Sequence, residues 1–159
     1  MNYRRFIGAL SLAAALIVSP VAEAFYYRYQ TRDARMTTIV TDIGTSGRLR
    51  LYPSNTGAAG STPCSGTIIA DLALSSTAGT VATVGNVDTG ATRLTFNAIT
   101  NATATSSATA TCATITTSAG TIIVNALTVG TSSTDIILNS NVISSGQTVS
   151  VTSAQLTHG

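Results

Sequence analysis

The sequence predicts an all-β domain. About eight short strands form an antiparallel β-sandwich in two layers, with one short N-terminal helix ahead of them. Three observations point there. The stretch from Gly120 to Thr157 holds three β-branched runs cut by small polar residues. Its last run alternates, with Thr148, Ser150 and Thr152 on one side and Val149 and Val151 on the other, as a strand with one wet and one buried face requires. Charged residues make up only 9 % of the chain, yet Ile, Val and Thr abound, which sets it apart from disordered chains that lack apolar β-branched residues.

The chain divides into residues 1–24, 25–47 and 48–159. In the first part Arg4 and Arg5 precede the apolar run Phe6 to Val18, and Ala22-Glu23-Ala24 follows. A basic start, an apolar middle and an A-x-A site form a secretory leader pattern with cleavage expected after Ala24. The run is too short for a comfortable membrane span. The competing reading is a start placed too far upstream.

Phe25-Tyr26-Tyr27-Arg28-Tyr29 holds four of the chain's eight aromatics. Tyr26, Tyr27, Arg28, Tyr29 and Arg32 are candidate partner contacts, because Tyr and Arg are enriched in contact patches. A terminus whose rings simply lie on the domain is the alternative. Met36, Ile39, Val40 and Ile43 then fall at i, i+3, i+4 and i+7, one face of a helix. Thr31 or Asp33 is the expected N-cap, and Gly44 or Gly47 the stop. So many β-branched residues lower helix propensity, so packing against a sheet must hold this helix.

Arg48 to Tyr52 alternates and stops at Pro53, a strand followed by a Gly/Ser/Asn/Pro-rich loop to Gly66. Further strands are expected at Thr67–Leu74, with Asp71 outward, at Val81–Val84, and at Ala91–Ile99 with Leu94 and Phe96 inward. Ala102 to Thr117 reads as one long strand with an outward Thr row and small inward residues. Leu49, Leu51, Ile69, Leu72, Leu74, Leu94, Phe96, Ile115, Ile123, Ile136, Leu138, Val149 and Val151 form the expected core.

Cys64 and Cys112 are the only cysteines. In an exported chain they form a possible disulfide worth about 3–4 kcal/mol in the chain-entropy picture. One lies in a loop and one in a strand, so pairing needs a fold that brings them together. Two thiols and the single histidine, His158, do not complete a tetrahedral metal shell. His158 sits beside the C-terminus, where disorder is the usual expectation, and supports no Ser-His-acid set. The carboxylates are scattered singly and no phosphate-binding glycine motif is present. The basic residues, all arginines, form no patch to neutralise phosphates. The expectation is a non-enzyme with no cofactor, no metal, no small-molecule substrate and no nucleic-acid partner.

From about Thr31 to Thr157 the chain resembles a family of small tailed-phage virion structural proteins. The matching parts are a short helix leading into Gly47-Arg48-Leu49-Arg50-Leu51-Tyr52 and the strand Thr67 to Leu74. They continue with the Ala/Thr-rich strand Ala108 to Thr117, the segment Asn125 to Asn139 and the ending Ser145 to Ser153. These motifs are structural rather than catalytic. Two features depart from the family pattern, the leader and Cys112, which stands where an aromatic is expected.

The resemblance implies a jelly-roll sandwich. It further implies a capsid cement or decoration protein, or a head-associated one, located in the virion. Such a protein binds capsid subunits or other virion proteins by protein–protein contacts and acts as a homo-oligomer. The alternative is an exported bacterial fibre or pilus-like surface subunit, secreted, periplasmic or at the cell surface. Leader, cysteines and the terminal alternating strand favour it, and the lack of an alternating donor arm after Ala24 opposes it. A carbohydrate-binding module ranks third, because the chain has no Trp to offer on a sheet face.

Overall fold

In the computed structural model, residues 29–55, 64–85 and 90–158 are described. Helix α1 (Tyr29–Ile43) passes through a 3-10 turn at Gly44–Ser46 into β1 (Arg48–Tyr52). There follow β2 (Ser54–Asn55), β3 (Cys64–Ser65), β4 (Ala70–Ala73), β5 (Gly79–Val84), β6 (Ala91–Phe96), β7 (Ala102–Thr103), β8 (Ala108–Thr109) and β9 (Cys112–Thr116). The last third holds β10 (Ile122–Gly130), β11 (Ile136–Leu138), β12 (Val142–Ile143), β13 (Thr148–Val149) and β14 (Val151–His158). The protein is mostly β with one short helix, as its sequence predicts.

Eight strands form one curled sheet in the order β4-β1-β9-β10-β11-β14-β6-β5. Three further pairs, β12–β8, β13–β7 and β2–β3, lie outside it. This sheet is mixed, which corrects the antiparallel expectation. β10 and β11 run parallel, pairing Val129 with Ile136 and Gly130 with Ile137. Parallel neighbours usually need a long crossover. Here the contact is two residues deep and the loop between is held by Asp135, whose Oδ2 accepts from Thr128 N–H at 2.9 Å and Thr128 Oγ1–H at 2.7 Å.

The RLRLY alternation of β1 works as predicted. Leu49 and Leu51 are buried, while Arg48, Arg50 and Tyr52 line the opposite face. Directly opposed residues share a face, so Leu72 and Ala70 of β4 and Ile115 and Ala113 of β9 join the leucines inside. Met36 and Ile43 of α1 close over this core, with Ile39 and Val40 half-buried beside them. The helix stops at Gly44, whose φ of +70° is the left-handed turn that a residue without Cβ adopts at no steric cost. Its described part begins at Tyr29, so Thr31 and Asp33 lie within the helix rather than at its cap.

Of the thirteen residues expected in the core, Ile123 and Val151 are only half-buried. Val151 is set opposite buried Leu138 and keeps to the core face with partial cover, and a bulge follows it in β14. Ile137 pairs with Ser153, but Leu138 pairs with Val151, so Thr152 is the extra residue. A one-residue slip turns every later side chain over, and Ala154 and Leu156 become the buried positions. The expected Ala102–Thr117 strand is broken into β7, β8 and β9. Its outward Thr row holds at Thr103, Thr105, Thr109 and Thr111, which are exposed, and is corrected at Thr114 and Thr116. All five residues of β9 are buried, Thr114 and Thr116 included, because this strand sits between β1 and β10 with both faces covered. The predicted strand at Thr67–Leu74 shrinks to Ala70–Ala73.

Candidate functional site

Tyr26, Tyr27 and Arg28 lie outside the described residues, and Tyr29 opens α1. Arg32, grouped with them as a surface contact, is 3 % exposed. It falls one turn before Met36 on the face that packs inward, so within one copy it belongs to the interior.

The two cysteines are brought together. β1 sets Tyr52 opposite Cys112 of β9, and the β2–β3 pair, with Asn55 opposite Cys64, returns the chain to the same place. Cys64 and Cys112 are disulfide-bonded with their Cα atoms 5.6 Å apart. Asn125 secures the hairpin from β10, its Oδ1 accepting from Cys64 N–H at 3.3 Å and from Ala126 N–H at 2.8 Å.

On that same outer face three charges form a ladder. Asp71 Oδ1 accepts from Arg48 Nε at 2.8 Å, and Oδ2 from Arg50 Nε at 3.3 Å. Arg50 and Asp71 are cross-strand partners, as are Arg50 and Thr114, and Arg48 and Thr116. The two threonine hydroxyls are buried and find no hydrogen-bond partner among the described residues. Two guanidiniums sharing one carboxylate leave a patch with one net positive charge and no acid–base pair. The sequence marks Arg48 and Arg50 as neighbours on one face, but only the strand register reveals Asp71 between them.

A groove of about 400 Å³ runs between α1, β10 and β14. Met36, Ile39, Val124, Leu127 and Leu156 give it an apolar floor, and Arg35, Asp135 and His158 stand at its rim. His158 is not frayed. It is half-buried at the end of β14, opposite Thr92 of β6. Asp135 is committed to the loop before β11, and its own N–H donates to Thr128 Oγ1 at 3.0 Å. On the other flank of α1, Asp33 accepts hydrogen bonds from Thr92 Oγ1 at 2.7 Å and Thr83 Oγ1 at 3.3 Å, which ties the helix to β6 and β5. Among the described residues no three His, Cys, Asp or Glu side chains converge as a metal site.

The two edges of the main sheet differ. The β4 edge is covered, since Thr105 N–H donates to Ile69 C=O at 2.8 Å and Thr100 N–H to Ala73 C=O at 3.0 Å. The β5 edge carries Gly79-Thr80-Val81-Ala82-Thr83-Val84, and among the described residues its backbone pairing runs to β6 alone. Comparison with protein-family models, with curated proteins and with solved structures finds no match.

Proposed function

We propose that this chain is a non-enzymatic structural subunit of a phage-type virion, a capsid cement or decoration protein or a head-associated one. It holds neighbouring shell subunits through protein–protein contacts and works as a homo-oligomer. The jelly-roll arrangement belongs to the same proposal. The observation that supports it is the uncharged edge of β5. An open row of backbone N–H and C=O groups is a template for another strand, and sheets that avoid such pairing blunt the edge with Lys, Pro or a bulge. β5 has none of the three.

A second reading, an exported fibre or pilus-like surface subunit, is favoured by the Cys64–Cys112 bond. Disulfides form and persist in oxidising compartments, and the leader pattern points the same way. Fractionation of the natural source separates the two. Intact-mass and N-terminal analysis of purified particles should find this chain at a fixed ratio to the shell subunit. Recovery only from sheared surface filaments, with a chain starting at Phe25, would replace the first reading by the second.

A further inference from the structure

We infer that β5 is a self-association site: two copies join edge to edge through antiparallel β5 strands centred on Val81, extending the sheet across a two-fold axis. The inference rests on the reading of the chain as an oligomeric structural subunit and supplies its contact.

The register follows from the ladder to β6. Asn97 N–H donates to Ala78 C=O at 2.9 Å, so residues 78 and 97 are a hydrogen-bonded pair in the β5–β6 alignment. Hydrogen-bonded and non-bonded pairs alternate in an antiparallel ladder. Thr80, Ala82 and Val84 therefore direct their backbone groups to β6, and Gly79, Val81 and Thr83 direct theirs to the open edge. Directly opposed residues share a face of the sheet, so a two-fold axis perpendicular to the sheet must pass through a residue rather than between two. An axis at an outward-bonding residue centres a hydrogen-bonded pair and one at an inward-bonding residue a non-bonded pair. The axis at Val81 is the one that pairs all three outward-bonding residues, Gly79, Val81 and Thr83, among themselves. Val81 then pairs with Val81 of the second copy, Gly79 with Thr83, and Thr80 with Ala82.

The occupant is a second copy because the edge complements itself. β5 has no charged residue, so self-pairing opposes no like charges along the two strands. Val81 packs against the core, so its pairing continues the apolar layer from one copy into the next. α1 packs on β5 and lies beside the same axis, adding surface to what six residues, about 20 Å of strand, bury alone. The joint is isologous and the β4 edge is covered, so pairing stops at a dimer and does not grow into a fibre.

Sedimentation equilibrium of the full-length protein tests this. Wild type should reach twice the monomer mass as concentration rises. Thr80 and Ala82 are exposed, so Thr80→Lys/Ala82→Lys keeps the fold by circular dichroism. It should weaken the dimer at least tenfold, because Thr80 of one copy faces Ala82 of the other. Thr80→Glu/Ala82→Glu should do the same, and mixing the two variants should restore a heterodimer. A wild type that stays monomeric, a lysine variant that keeps the dimer, or a mixture that fails to pair overturns the inference. These outcomes are independent of whether the chain occurs in particles, so the contact can fail while the virion reading stands, and the reverse.

Discussion

Removing the Cys64–Cys112 bond should lower stability by about 4 kcal/mol. The two residues are separated by 48 positions, and closing a loop of that size in the unfolded chain costs roughly 14 cal/mol/K of entropy, about 4 kcal/mol at 25 °C. The enclosed segment runs from β3 to β9 and includes β4, β5 and β6. Reduction thus frees a large share of the sheet in the unfolded ensemble while leaving the folded contacts in place. Urea unfolding followed by circular dichroism, with and without a reductant, reads the difference directly. For a urea slope of about 2 kcal/mol/M, the midpoint should fall by about 2 M. Cys64→Ala/Cys112→Ala should match the reduced protein apart from a small loss of packing, since Cys112 is fully buried. Coincident midpoints for oxidised and reduced protein would refute the reasoning and mean that the hairpin is held by Asn125 and the core alone.

Three further outcomes follow from single side chains. Asp33→Ala leaves the buried Thr92 hydroxyl without its acceptor and should cost about 1–3 kcal/mol, read as a lower thermal midpoint. Asp71→Ala leaves Arg48 and Arg50 facing each other, but these side chains are between 24 % and 38 % exposed. Screening should hold the loss to about 1 kcal/mol or less, shrinking further in 1 M NaCl. Ala126 has a φ of +58°, a left-handed conformation that costs a residue with a Cβ about 1 kcal/mol or more. Ala126→Gly should therefore raise the midpoint, and a fall would mean that the Ala126 methyl group packs usefully.

What was legible in the sequence is what period alone decides. β1 and the apolar face of α1 are local patterns, and each of their apolar residues faces inward as spacing requires. The failures begin where pairing overrides period. Nothing local in Val149 to Leu156 announces that Thr152 is bulged, because the bulge exists only relative to β11. Thr114 and Thr116 alternate like a wet face, yet β9 is central, and a strand with a neighbour on each side and cover on both faces buries whatever it carries. The candidate sites lie on this second side. Cys64 meets Cys112, Asp71 meets two arginines, and Asp33 meets Thr92 only through contacts 21 to 59 residues apart in the chain. The open edge is the sharpest case. The uncharged run at β5 is plain in the sequence, but the same composition in a central strand would mean nothing. Its significance comes from its place at the end of the strand order, opposite an edge that the chain has covered.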